Sequence, residues 1–74
     1  MDNQHKQITG YRDLSQGEIN AMNAIKAVGE QLGTLVEVLR AEQSTDKRWV
    51  SIGATDLQTG LMALVRAVAQ PTTF

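Results

Sequence analysis

The chain has 74 residues and a mass of 8.1 kDa, enough for one small domain and too little for a second. The absence of cysteine and the presence of one histidine, His5, exclude disulfides, thiolate chemistry and Cys- or His-rich metal sites. Seven Lys+Arg against eight Asp+Glu give a formal net charge of −1, so no basic field covers the surface and duplex nucleic acid is not an expected partner.

A hydrophobic fraction of 42% is a soluble globular value. Ordering a chain of this size costs on the order of 100 kcal/mol of conformational entropy, at ~1.5 kcal/mol per residue. Small domains offset that with disulfides, a metal or partner subunits. With the first two excluded, oligomerisation is the remedy left. No apolar run approaches the length of a membrane span, and the opening Met-Asp-Asn-Gln-His-Lys lacks the apolar stretch of a signal peptide. The expected location is the cytoplasm, with no membrane partner.

The first element is a polar arm over 1–14, where Ile8 and Leu14 are the only aliphatics after Met1. It carries Gly10, Tyr11, Lys6 and Arg12, and is expected to be ordered only where something docks it. The second is a helix over 15–43. Ser15-Gln16-Gly17-Glu18 has the spacing of a capping box, and Leu14 and Ile19 that of a hydrophobic staple. Its apolar positions Met22, Ile25, Gly29, Leu32, Val36 and Leu39 form a heptad seam containing a glycine. About 28 residues make a helix of roughly 42 Å.

The third element is a helix over 46–70. Ser44-Thr45-Asp46 offers three good N-cap residues in succession. The expected seam is Val50, Ala54, Leu57, Leu61, Leu64 and Val68, with Trp49, Ile52 or Gly53, Gly60, Ala63 and Ala67 in a second stripe beside it. Pro71 ends the helix and drives Gln70 out of helical geometry. Two long helices joined by a short polar link make an antiparallel two-helix hairpin, an all-α fold. Both helices carry apolar or small residues on further sides, such as Val28, Leu35 and Val38 on the first and Ile52 and Val65 on the second. Another copy of the hairpin is the simplest cover for those faces. The mid-helix glycines, Gly29 and Gly33 on one helix and Gly53 and Gly60 on the other, imply that a backbone or a flat ligand comes very close.

Catalysis is not expected. No nucleophile–base arrangement is available, the glycines are isolated within helices instead of forming a phosphate loop, and Glu30 and Glu37 read as a solvated face. No cofactor is implied. Trp49 reads as core or interface. Tyr11 lies outside any helix, where either packing on its own helix or stacking on a base is open to it. Lys26 flanks the first seam, as a snorkelling lysine or as a ligand cation. Arg48 opens the second helix, where a cation opposes the macrodipole and is either indifferent surface or aimed at an anion.

Two segments carry a resemblance. Gly10-Tyr11-Arg12-Asp13-Leu14-Ser15 and the nearly continuous block from Arg48-Trp49-Val50-Ser51-Ile52-Gly53 through Gln70-Pro71 resemble the bacteriophage anti-CBASS cyclic-oligonucleotide sponge family. The resemblance implies a small helical hairpin assembling into a compact homohexamer. It implies binding of cyclic dinucleotides such as cyclic GMP-AMP, the messengers of host CBASS immunity, which are sequestered without cleavage. Some members also hold cyclic trinucleotides at separate pockets. Carried over by position, it implies that Tyr11 stacks on a base, Lys26 faces a phosphate, Arg12 adds a polar contact and Arg48 belongs to the trinucleotide pocket. The connection from Leu39 to Arg48 is shorter here than in longer members, which bears most on that second pocket. Two other readings of the residues stay open: a helical oligomeric adaptor that binds a protein partner through the Gly/Ala stripe, and a small regulator that binds single-stranded nucleic acid through Tyr11 and the cations.

Overall fold

The computed structural model describes residues 13–74. Within them lie α1 (Gln16–Ala41) and α2 (Lys47–Ala69), joined by a turn over 42–46, and no strand. Each boundary has a local chemical cause. At the start of α1, the Glu18 amide donates to Ser15 Oγ at 3.2 Å and the Ser15 amide donates to Glu18 Oε1 at 2.8 Å. Both halves of the capping box are therefore made, and two otherwise orphaned donors are satisfied.

α1 ends at Ala41, two residues before the end expected from periodicity. Glu42 turns extended (φ −78°, ψ 122°) while its amide still reaches the Val38 carbonyl at 3.1 Å. The turn then satisfies the carbonyls that the helix leaves unbonded. Thr45 Oγ1 donates to the Leu39 carbonyl at 2.6 Å and to that of Glu42 at 3.0 Å. Lys47 Nζ donates to the Glu42 carbonyl, to the Thr45 carbonyl at 3.1 Å and to Thr45 Oγ1 at 2.7 Å. An ammonium thus stands at the negative end of the α1 macrodipole. These side-chain bonds are what a five-residue reversal needs to stop one helix and start another.

Asp46 is the N-cap of α2, its carboxylate accepting from the amides of Arg48 at 2.9 Å and Trp49 at 3.3 Å. At the far end Gln70 adopts the left-handed conformation (φ 44°, ψ 61°), with its amide donating to the Arg66 carbonyl at 2.8 Å. That is a helix-terminating geometry usually given to glycine. Here it falls on the residue before Pro71, which cannot continue the helix.

The helices run antiparallel. Arg40 Nη1 donates to Ser51 Oγ at 3.2 Å near the turn, and farther out Gly29 faces Leu61. The half-buried seam is Met22, Ile25, Gly29, Leu32 and Val36 on α1, with Val50, Ala54, Leu61, Val65 and Val68 on α2. Three expected positions are less covered: Leu39 is 36%, Leu57 37% and Leu64 55% exposed, although Leu57 still shares a cleft with Leu32, Val36 and Leu61. For Leu64 the cause is pitch. A straight helix turns 3.6 residues per turn, so a strict seven-residue spacing drifts and the covered stripe passes from Leu61 to Val65. Trp49 also departs from its expected core role, being 61% exposed in the single hairpin.

No residue of either helix is fully buried. Val28, Leu35, Val38 and Met62 all remain open to water.

Gly29 of α1 packs against Leu61 of α2. A Cβ built on Gly29 would stand 3.4 Å from Leu61 Cδ1. One methyl fits there at the limit of contact, and nothing larger does. Gly29→Ala is therefore expected to leave stability equal or raise it by up to about 1 kcal/mol through helix propensity. Gly29→Leu forces the seam apart at a cost of about 1–3 kcal/mol. Urea midpoints at matched protein concentration distinguish the two.

Candidate functional site

Beyond the Gly29–Leu61 contact the helices enclose a groove of about 890 Å³ at the end of the hairpin away from the turn. That volume is within the range of small-molecule sites. Its walls are mainly apolar, from Met22 and Ile25 on α1 and Leu61 and Val65 on α2, with Pro71 beyond the end of α2. Three charged side chains line it: Lys26 and Glu30 from α1 and Arg66 from α2. All three are exposed. Lys26 reaches the groove because it follows Ile25, a seam residue, so its stem runs along apolar wall with the ammonium at the rim.

Arg66 occupies the last turn of α2. Its Nη2 donates to the backbone oxygens of Thr73 at 3.2 Å and Phe74 at 2.9 Å, so the tail after Pro71 is folded back onto it. Reasoning from sequence gave Arg66 no role. The available signal was the hairpin itself. Counting outward from the Gly29–Leu61 contact places position 66 within about one helical turn of Lys26 on the opposite helix.

The other expected residues fall elsewhere. Arg48 lies in the first turn of α2, beside the interhelical turn, about 22 Å along the helix axis from the level of Lys26. Its guanidinium carbon stands 5.4 Å from the centroid of the Trp49 ring, a cation–π pair on the surface. Trp49 also lines a smaller cavity of about 320 Å³ with Leu39, Thr45, Val50 and Gly53. Lys26 and Arg48 therefore belong to two separate places. Tyr11 and Arg12 lie outside the described residues. Among the described residues, no group of three or more His, Cys, Asp or Glu could hold a metal ion, and no helix is long and apolar enough to cross a membrane.

The described residues form a helical hairpin with an apolar groove that Lys26 and Arg66 line, and no residue of either helix is fully buried. The model of the Acb2/Tad1 hairpin domain matches residues 3–69, and the chain belongs to that family. It is similar to a protein named Anti-CBASS protein 2 from Pseudomonas phage JBD67, with 39% identity over 105 aligned positions covering 96% of this chain and 97% of that one. The alignment is longer than this chain of 74 residues, so the relative carries residues with no counterpart here.

The start of α2 separates a structural group from an available one. Asp46 carries the cap, whereas the Arg48 side chain touches only an exposed ring. Asp46→Ala is expected to cost about 1 kcal/mol. Arg48→Ala should leave the thermal midpoint within about a degree of the parent, consistent with a cation–π pair of about 0.5–1 kcal/mol at an exposed site offset by relief at the helix N-terminus. Parallel melts followed by circular dichroism read both.

Proposed function

We infer that this chain is an anti-CBASS protein, a phage product that binds and holds the cyclic nucleotide messengers of host defence. One observation carries the reading: the chain matches a protein of that name over nearly its whole length. The groove with Lys26 at its rim supports it by offering such a ligand a site.

A cyclic dinucleotide such as cyclic GMP-AMP presents two flat bases and two phosphodiester charges. One hairpin leaves its groove open along one side and its seam half wet. Two hairpins facing across a two-fold axis close it and offer each half of the ligand the same groups, an isologous arrangement. In our reading Tyr11 stacks on a base, Lys26 holds a phosphate and Arg12 adds a polar contact. Two Lys26 side chains then bring local positive charge to a protein whose net charge is −1. Stacking contributes about 1–3 kcal/mol per base, and a hydrogen bond to a charged group about 1.5–3 kcal/mol. Doubled by symmetry, those terms are of the size that nanomolar sequestration at about −12 kcal/mol needs.

The assembly we propose is a homohexamer. The exposed apolar faces support it, as do Gly33, Gly53 and Gly60, where an added Cβ would meet nothing within 4 Å in the single chain. Small residues facing open space leave room for a neighbouring backbone. The adaptor reading draws on the same faces, with a foreign helix in place of a second copy. Binding without turnover follows from the residue set, in which no Cys and one His supply no nucleophile–base pair. Arg48, beside Trp49 and apart from the groove, is our candidate for a separate cyclic trinucleotide pocket.

Light scattering should give a mass several times 8.1 kDa that does not fall on dilution. A folded monomer that gains mass only with a foreign protein would favour the adaptor. Leu61→Asp places a carboxylate in the seam and should abolish helicity and assembly together, at a cost of several kcal/mol.

Calorimetry with a panel of cyclic di- and trinucleotides tests the ligand. Tyr11→Ala and Lys26→Ala should each weaken cyclic dinucleotide binding at least tenfold while the protein stays folded and assembled. Arg48→Ala should leave dinucleotide binding unchanged and affect only a trinucleotide. Nucleotide released from the heated complex should be chromatographically intact; linearised product above the buffer control would mean a nuclease.

A further inference from the structure

The charged lining of the groove points to a residue that the ligand reading has not used. Lys26 and Glu30 stand one helical turn apart on α1, and both line the groove. Arg66 is the one charged residue lining the groove from α2, so it and Lys26 bring one cation from each helix to the same groove.

Its guanidinium is also held in place. Nη2 donates both hydrogens, one to the Thr73 oxygen at 3.2 Å and one to the Phe74 oxygen at 2.9 Å. An arginine has five N–H donors in a rigid fork, so three remain, on Nη1 and Nε. A planar fork fixed at one corner loses less freedom when it meets an oxyanion than a free side chain does. The other role open to Arg66 is that of a last-turn cation complementing the α2 macrodipole, which would affect stability and leave ligand affinity alone.

We propose that Arg66 is a second anion-binding residue of the groove, taking a phosphodiester oxygen of the cyclic dinucleotide through Nη1 and Nε opposite Lys26. This rests on the ligand reading above. The tail over 72–74 acts as its brace, and the pair Lys26–Arg66 brings one cation from each helix to the same ligand.

The test is calorimetry of the assembled full chain with cyclic GMP-AMP, comparing the parent with Lys26→Ala, Arg66→Gln and Arg66→Lys. Arg66→Gln is expected to weaken binding at least tenfold, with the ligand-free thermal midpoint nearly unchanged. Arg66→Lys keeps the charge and loses the fork, and should fall between the two. If the parent binds, Lys26→Ala is weakened and Arg66→Gln binds as the parent does, the assignment of Arg66 is wrong while the ligand reading stands. If the parent binds no cyclic nucleotide, the ligand reading fails and Arg66 falls with it. A fold loss in Arg66→Gln moves the decision to the unsubstituted protein. There the Arg66 Nε–H signal in a nitrogen-15 spectrum should shift on titration while that of Arg40, tied to Ser51, stays. An unmoved Arg66 signal at saturation would overturn the proposal.

Discussion

The two helices share a seam that is only half covered, and most of the molecule's behaviour follows from how little that seam buries. An α-helical pair gains stability by withdrawing apolar area from water. Here the pairing of α1 and α2 leaves Val28, Leu35, Val38, Trp49 and Met62 outside the seam. Local chemistry makes each helix well formed: a complete capping box, an aspartate cap and a turn whose side chains bond the last carbonyls of α1. Such terms shape the hairpin and set its direction. They do not supply a core, and this makes further copies of the chain part of the physical argument for folding.

The same narrow seam makes the groove. Beyond Gly29 and Leu61 the walls are formed by Ile25 and Met22 on one side and by Val65 and Ala69 on the other, and the helices leave a space of about 890 Å³. Apolar walls with charges confined to the rim suit a ligand that is flat and uncharged over its bases and anionic along its edge. On the proposed reading, a net charge of −1 is no obstacle to a small dianion, because the local potential of the groove acts on it more than the charge of the whole chain does.

Features set by neighbours in the chain were legible in the sequence. Ser15 and Glu18 lie three apart and could be read as a box; Pro71 marked the end of α2; three polar cap residues marked the turn, with Asp46 the one that caps. Features set by pitch or by the partner helix were less so. A heptad spacing put Leu64 on the seam and left Val65 off it, and the structure reverses them because a straight helix does not repeat every seven residues. Four glycines read alike, yet only Gly29 meets the other helix. Lys26 could be noticed because it follows a seam residue. Arg66 could not, since forty positions separate it from Lys26 and only the reversal at 42–46 brings them to one groove.

The antiparallel reversal has a practical consequence for anyone handling the protein. The chain enters α1 at Ser15 and leaves α2 at Gln70, and both points lie at the end of the hairpin that holds the groove. A fluorophore placed on Ser15 or Gln70 would therefore stand at the end of the hairpin that holds the groove. The solvent-exposed residue Gln43, at the opposite end, is the place where a label can be carried without standing in the doorway.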